Sequence, residues 1–188
     1  MQPAVITVGR MNPPTRGHAV LIRKVLDEAK RLGARPILYI VDGEKSGKDK
    51  SKNPLTGSQR QAYMKKLFPG IVVDVVSSAY QVLDVLDVQG LEPTIWVAGT
   101  DRAPNYRKLL ASAKLSGEVI EVDRDAGEAD GVSATLARQA ALAGDWDLFL
   151  SQMPVGANVD MLADVMDDIR EAIHGNDSQS AHGSASSV

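Results

Sequence analysis

Apolar and polar residues alternate along this chain in blocks whose lengths match strands and helices in turn. Five short runs rich in Val, Ile, Leu and Ala have the composition of buried strands: residues 4–8, 36–41, 71–76, 94–98 and 118–122. Between them lie segments with apolar residues at helical spacing: residues 19–32, 58–67, 80–88 and 103–114. Such alternation is typical of parallel sheets with helices on both faces. The pattern therefore predicts an α/β fold, a Rossmann-like doubly wound parallel sheet of about five strands.

The last part of the chain has a different pattern, with helical segments and no further strand. A helix is predicted to start after residue 133, and residues 155–173 form a last amphipathic helix. Residues 174–188 are rich in Gly, Ser and Ala and are predicted to be a disordered tail. The predicted organisation is one α/β domain over residues 1–154, a C-terminal helix packed on it, and the tail. A partner interface is the alternative role for the last helix.

Composition and charge narrow the classes of function. The chain has 188 residues, a net charge of −3 and no cysteine. Its acidic balance argues against broad binding to nucleic acid, and the lack of cysteine excludes disulfides and thiolate chemistry. No run approaches the roughly 18 apolar residues of a membrane span, and no signal peptide is recognisable. We expect a soluble cytoplasmic protein without membrane contact, and a homo-oligomer stays open.

The segment from Val8 to His18 reads VGRMNPPTRGH and joins the first predicted strand to the first predicted helix. Its glycines, Gly9 and Gly17, leave room for a ligand close to the backbone, and Thr15 is a good N-cap residue. His18 follows in the first turn, beside free N–H groups and the positive end of the helix dipole. A capping histidine on a surface helix is the alternative, but the neighbouring Gly, Arg and Thr favour an anion site.

A second segment of this kind, residues 131–138, reads GVSATLAR and opens the helix predicted after the fifth strand. Ser133 is an N-cap candidate, and Thr135 adds a second hydroxyl in the first turn. Arg138 lies about one and a half turns beyond Ser133, so its guanidinium can extend past the helix end. Free N–H groups, hydroxyls and a guanidinium together predict a second anion site.

These two segments resemble the paired signatures of the nucleotidyltransferase superfamily, which includes adenylyl- and cytidylyltransferases. Its T/HxGH signature is similar to TRGH here, with Thr15 in place of the first histidine. The GRFxP lead-in of its nicotinamide mononucleotide adenylyltransferase branch is similar to GRMNP at residues 9–13. Its ISSTxxR motif is similar to VSATLAR, with Val132 for isoleucine and Ala134 for the second serine. The resemblance spans residues 4–154 and implies a fold that binds a nucleoside triphosphate.

Two further candidates lie between these motifs. Residues 42–53 hold four lysines and no apolar residue to bury. This loop is either a lid that brings ammonium groups, including that of Lys52, to a triphosphate, or a solvated loop. Asn53-Pro54-Leu55 followed by Arg60 resembles a segment of archaeal-type nicotinamide mononucleotide adenylyltransferases and of phage-encoded superfamily members. That resemblance implies that Asn53 and Arg60 lie near the acceptor, whereas residue chemistry alone favours an ordinary capped helix.

Gly99 and Asp101 follow the fourth predicted strand, at the edge of the sheet where such folds bind ligands. They resemble a VxGSD-like element that borders the nucleotide base and ribose in the superfamily. The alternative role for Asp101 is to cap the next helix. Residues 123–131 form an acidic loop, which we expect to be solvated.

The resemblance implies nucleotidyl transfer, with AMP moving from ATP to a phosphorylated small molecule such as nicotinamide mononucleotide, as in NAD biosynthesis, and pyrophosphate leaving. It assigns catalytic roles to His18 and Arg138. Nucleotide-binding roles fall to Gly9, Arg10, Asn12, Thr15, Gly17, His18, Lys52, Gly99, Asp101, Ser133, Thr135 and Arg138. Mg²⁺ is expected to enter with the triphosphate, held by substrate oxygens and water.

Two alternatives to this function stay open at this point. One is a cytidylyltransferase that acts on a sugar or polyol phosphate. The other is a non-catalytic module that binds nucleotide or serves as a phage structural or interaction domain. For a phage-encoded protein the expected location is the host cytoplasm.

Overall fold

The computed structural model describes residues 1–183, apart from the side chains of residues 128 and 176–183. Its centre is a sheet of five strands: β1 (Gln2–Gly9), β2 (Arg35–Val41), β3 (Val72–Val76), β4 (Leu91–Gly99) and β5 (Glu118–Val122). They lie in the order β3-β2-β1-β4-β5, and every neighbouring pair is parallel. Each of the five apolar runs forms one of these strands, so the predicted doubly wound parallel sheet is confirmed.

Within residues 1–183, seven α-helices accompany the sheet: α1 (Arg16–Leu32), α2 (Gly57–Leu67), α3 (Ala79–Val88), α4 (Ala103–Ser112), α5 (Ala134–Ala143), α6 (Trp146–Gln152) and α7 (Val159–Gly183). Successive residues of a strand point to opposite faces. Val5 of β1 packs with Ile22 of α1 on one face, whereas Ile6 packs with Leu86 of α3 and Leu110 of α4 on the other. Because both faces are covered, the inner strands are apolar at nearly every position.

The strands β1 and β4 are neighbours in the sheet, although two other strands and three helices separate them in sequence. The chain leaves β1 towards β2 and leaves β4 towards β5, in opposite directions across the sheet. The loops that follow the two strands therefore part and leave a crevice at the carboxyl edge, where open α/β sheets bind ligands. In this chain the two loops start after Gly9 and Gly99.

The helices α5, α6 and α7 form a lobe with its own apolar core, in which Phe149 and Ile169 are completely buried. The lobe packs against α2, whose Tyr63 belongs to the same core. The Tyr63 hydroxyl donates a short hydrogen bond to the Asp168 carboxylate on α7. The last helix is thus tied to a helix that connects two strands of the sheet.

The last helix differs from its predicted bounds. It begins at Val159 rather than at residue 155, and it continues to Gly183, beyond the predicted end at Ile173. Once nucleated, a helix extends at low cost, and no proline interrupts residues 174–183. Residues 184–188, the remainder of the predicted tail, lie outside the described residues. Across the described chain, no helix has both the length and the hydrophobicity that a membrane crossing requires.

Candidate functional site

The loop after β1 is anchored by its own polar and apolar side chains. The Asn12 side chain donates to the Leu55 carbonyl at 3.0 Å and accepts the Leu55 N–H at 2.9 Å, and Asn12 is only 3% exposed. A Cβ on Gly9 would lie 2.9 Å from the methyl carbon of Met11, which is completely buried. Asn12 and Gly9 were both predicted to contact the nucleotide. Here the Asn12 amide is paired inside the protein, and the space beside Gly9 is filled by Met11.

His18 lies in the first turn of α1. Its Nδ1 atom accepts the backbone N–H of Thr15 at 3.0 Å and lies 3.2 Å from the Thr15 hydroxyl oxygen. Because Nδ1 accepts that N–H, the neutral ring carries its proton on Nε2, where it can be donated to a ligand. Removal from water and, to a smaller extent, the charge of Arg124 lower the pKa of His18 to about 4. The side chain is therefore a neutral hydrogen-bond donor at neutral pH.

The start of α5 is capped in the predicted way by Ser133. Its hydroxyl oxygen accepts the N–H of Leu136 at 3.0 Å, and its own N–H donates to the side-chain oxygen of Gln152 at 2.9 Å. Ser133 therefore shapes the helix start, and it also lines a small cavity that is described below. Thr135, in the first turn, is exposed.

Arg138 connects the two motifs. Its Nη1 atom donates to the carbonyl oxygen of Asn12 at 2.9 Å, and its Nη2 atom donates to the Thr135 hydroxyl at 3.3 Å. Burial lowers the pKa of Arg138, while the charge of Asp49 acts in the opposite direction. A guanidinium has five N–H donors, so these two contacts leave others to bind an anion.

A cavity of about 500 Å³ lies where the two motifs meet the segment before α2. Its lining includes these basic and polar residues: Arg10, Asn12, His18, Ser51, Lys52, Asn53, Thr135, Arg138 and Gln139. No Asp or Glu is among the described residues that line it. Three permanent cations and the N-terminus of α5 make this cavity positive, which suits a polyanion such as a triphosphate. The structure thus brings together residues from both predicted anion sites.

Of the four lysines in residues 42–53, Lys52 alone is among the residues that line this cavity. The loop has a 3₁₀ turn at Ser46–Lys48, and the Asn53 side chain donates to the carbonyl oxygen of Ser46 at 2.8 Å. Asn53 is 7% exposed. Its side-chain amide closes the loop, and the residue also borders the cavity. The predicted lid therefore contributes one ammonium group in this conformation.

A smaller cavity of about 220 Å³ adjoins the first, because His18 and Ala134 line both. Arg124, from the loop after β5, forms part of its wall. The guanidinium donates to both carboxylate oxygens of Asp101, at 3.1 and 3.2 Å. The sequence pattern predicts only a solvated acidic loop there, and so it misses Arg124. The only feature of the sequence that points to Arg124 is its position, because the loop after β5 also lies at the carboxyl edge of the sheet.

Two of the predicted glycines accommodate Arg124. A Cβ on Gly99 would lie 3.1 Å from the Nε atom of Arg124 and 2.9 Å from a carboxylate oxygen of Asp101. A Cβ on Gly17 would lie 3.2 Å from the Arg124 carbonyl oxygen. Asp101 lines a further cavity of about 420 Å³, which shares Arg124 and Asp125 with the smaller cavity. The VxGSD-like element therefore meets the smaller cavity through its ion pair with Arg124.

Arg60, which was predicted near the acceptor, is 2% exposed and is not among the residues that line the two cavities. Its guanidinium donates to the carbonyl oxygens of Arg10 and Val41 and to the Asp42 carboxylate. The side chain is therefore buried beneath the loop after β1. Arg60 therefore lies behind the site and not on its surface.

Comparisons with known proteins agree with this architecture. The family model described as cytidylyltransferase-like matches residues 6–140. No curated protein sequence matches the chain. The structure of Plasmodium falciparum nicotinic acid mononucleotide adenylyltransferase complexed with APC is similar over 92% of this chain and 98% of that one, at 12% identity and a TM-score of 0.57. A macrolide-efflux protein from Streptococcus pneumoniae is similar over 81% of this chain and 56% of its own, at 17% identity and a TM-score of 0.57. At these identities the two structures show a shared fold.

Proposed function

The chain belongs to the cytidylyltransferase-like family, whose chemistry is nucleotidyl transfer, and we propose that it transfers AMP from ATP to a phosphorylated small molecule such as nicotinamide mononucleotide. The observation that carries this proposal is the cavity between the two motifs, where Arg10, Lys52 and Arg138 accompany His18. Cations in such a cavity hold the phosphates of the donor, and a neutral histidine donor stabilises the charge that develops at the reacting phosphate.

In the proposed reaction a phosphate oxygen of the acceptor attacks the α-phosphorus of the triphosphate. The new oxygen–phosphorus bond forms as the bond to the bridging oxygen of the β-phosphate breaks, and pyrophosphate leaves. The acceptor phosphate is already an anionic nucleophile, so no side chain has to remove a proton from it. The protein contributes by holding both reactants in line and by stabilising negative charge in the transition state.

Each residue of the cavity has a distinct role in this proposal. His18 donates from Nε2 to an oxygen of the α-phosphate, and Thr15 holds the imidazole in the required tautomer. Arg138 and Lys52 bind the β- and γ-phosphates. Arg10 binds the phosphates from the opposite loop. We call the cavity of about 500 Å³ the phosphate cavity. The smaller cavity beside Arg124 is proposed to hold the nucleoside of the donor, because it adjoins the phosphate cavity at His18.

Mg²⁺ is proposed to arrive with the triphosphate. Among the described residues, no cluster of three or more His, Cys, Asp or Glu side chains is placed to hold a metal ion. The walls of the phosphate cavity offer cations and hydroxyls rather than carboxylates. This set of residues fits a cation coordinated by substrate oxygens and water. Bound there, it would neutralise charge on the leaving pyrophosphate.

The acceptor is proposed to extend towards a cavity of about 580 Å³ between the start of α3 and one side of α4. Tyr80, Arg102, Tyr106 and Lys108 are among the residues that line it. Arg102 directly follows Asp101, so this cavity begins next to the ion pair at the nucleoside cavity. The ring of Tyr106 is buried against Trp96, whereas Tyr80 is exposed. One exposed aromatic ring and two cations suit an acceptor with a flat ring and negative charge, which supports a pyridine mononucleotide.

Two alternative functions have specific support. The family description supports a cytidylyltransferase that acts on a sugar or polyol phosphate. The exchange of the first motif histidine for Thr15 supports a module that binds nucleotide without turnover, because His18 is then the single imidazole at the site.

The test is to incubate the protein with Mg²⁺, ATP or CTP, and a panel of phosphorylated acceptors, and to measure pyrophosphate. We expect release with ATP and a pyridine mononucleotide. His18→Ala should lower kcat on the order of 10²-fold, as for loss of one positioned donor. His174→Ala, at an exposed position of α7, is the matched control and should turn over normally.

Each alternative has its own outcome in that experiment. Release with CTP and a sugar phosphate would identify the cytidylyltransferase. Binding of ATP with no pyrophosphate from any acceptor would identify the non-catalytic module. Normal turnover by His18→Ala would remove the catalytic role of His18.

A further inference from the structure

The guanidinium of Arg60 holds four acceptors from three segments of the chain. Its Nη1 atom donates to the carbonyl oxygen of Arg10 at 2.7 Å and to that of Val41 at 2.9 Å. Its Nη2 atom donates to the Asp42 carboxylate at 2.7 Å, and its Nε atom donates to the carbonyl oxygen of Thr56 at 3.2 Å. The loop after β1, the end of β2 and the start of α2 therefore meet at one side chain.

A buried guanidinium is costly to place unless its donors are satisfied. Arg60 is 2% exposed, and its one anionic partner, Asp42, has a side chain that is 38% exposed. The remaining partners are backbone carbonyls, which carry no net charge. An apolar side chain would fill the same volume without this cost. The property that an apolar residue cannot supply is the planar set of N–H donors, which binds several backbone carbonyls at once. It sets the distance between the backbone segments that it joins.

One of these segments carries a wall of the phosphate cavity. The side chain of Arg10 is exposed and lines that cavity, while the carbonyl oxygen of the same residue is held by Arg60. Two residues later the loop is held again, since Leu55 pairs with the Asn12 side chain and Arg138 binds the Asn12 carbonyl. Arg60 thus holds the first part of the loop, at Arg10.

We propose that Arg60 is a positioning residue for triphosphate binding that acts through Arg10, by holding the Arg10 backbone so that its side chain points into the phosphate cavity. This inference rests on the proposed function. It replaces the predicted contact between Arg60 and the acceptor with an indirect role.

The test compares Arg60→Lys with Arg107→Lys. Lysine keeps the charge, but a single ammonium cannot span the carbonyls of Arg10, Val41 and Thr56 together. We expect KM for ATP to rise about tenfold, as for loss of one hydrogen bond to a charged group, with little change in kcat. Arg107→Lys, in a surface ion pair with Glu121, is the control and should leave KM near the wild-type value.

A double-mutant cycle with Arg10→Ala separates positioning from a general structural effect. If Arg60 acts through Arg10, then Arg60→Lys should cause no further rise in KM once the Arg10 side chain is absent. Rises in KM that multiply in the double mutant would overturn the proposal, and so would an unchanged KM in Arg60→Lys. Arg60→Gln is the second variant. Failure of both variants to fold would show that the guanidinium supports the whole fold, and would equally overturn the proposal.

Amide hydrogen exchange gives a readout that does not depend on nucleotide. In Arg60→Lys the amide of Leu55, which donates to Asn12 in the loop after β1, should exchange faster, whereas those of β1 should stay protected. Unchanged exchange at Leu55 would count against the positioning role. If the wild-type protein fails to bind ATP, the proposed function fails, and the exchange experiment still decides whether Arg60 holds this loop.

Discussion

The guanidinium of Arg138 donates a hydrogen bond to the carbonyl oxygen of Asn12 at 2.9 Å, across 126 positions of sequence. The two motifs, which lie at opposite ends of the domain's sequence, are therefore in direct contact. Both contribute to the wall of the phosphate cavity. The contact uses the backbone of Asn12, whose side chain is occupied by Leu55. It thus depends on the position of the loop rather than on the type of side chain.

The contact leads to a prediction for Arg138. Arg138→Ala removes a cation and two donors from the cavity, so KM for the triphosphate should rise by about ten- to a hundredfold, as for lost hydrogen bonds to a charged group. Arg138→Lys keeps the charge but cannot donate to Asn12 and Thr135 at once, so its KM should lie between those of wild type and Arg138→Ala. Steady-state kinetics at varied ATP provide the measurement. Identical KM values for all three proteins would contradict the triphosphate role.

A prediction for stability follows from the pKa of His18, which the folded protein lowers from 6.5 to about 4. As the pH falls through 6.5, the unfolded chain takes up a proton at this residue and the folded protein does not. Between these two pKa values the folded state therefore loses stability as the pH falls. In His18→Gln, which keeps an acceptor for the Thr15 N–H, the melting temperature should fall less over this window. Parallel curves for the two proteins would show that His18 is not the source of the pH dependence.

Arg124 should influence both the histidine and the nucleotide. Its positive charge lowers the pKa of His18, so Arg124→Gln should raise that pKa, which an NMR titration of the imidazole can follow. The same variant should bind ATP more weakly, because a cation leaves the cavity that adjoins His18. Arg107→Gln is the matched control, since Arg107 pairs with Glu121 on the exposed surface. We expect no change in either quantity for the control.

The lysine loop can be tested with two of its members. Lys52 lines the phosphate cavity, whereas Lys48 is exposed in the 3₁₀ turn. Lys52→Ala should raise KM for ATP by roughly tenfold, the effect of losing one charge-assisted hydrogen bond, and Lys48→Ala should leave it unchanged. Equal increases in both variants would instead indicate a lid that brings several ammonium groups to the phosphates.

The two motifs illustrate how far local sequence information reaches. Capping by Ser133 and the place of His18 in the first turn of α1 both follow from residues within four positions of each other, and both were predicted. The partners of Asn12 and Ser133 could not be predicted, because Leu55 and Gln152 lie far away in sequence and are brought there by packing. The structure thus adds a loop-shaping role to Asn12 and Ser133, which also line the cavities.

The sequence by itself determined the five parallel strands, the connecting helices and the two helix starts that carry the motifs. It could do so because burial on both faces of a sheet and capping of a helix leave signatures within a few neighbouring residues. Only the tertiary structure decided which polar groups line the cavities. It placed Arg60 behind the loop and Arg124 beside His18, because such contacts depend on how distant segments pack at the carboxyl edge of the sheet.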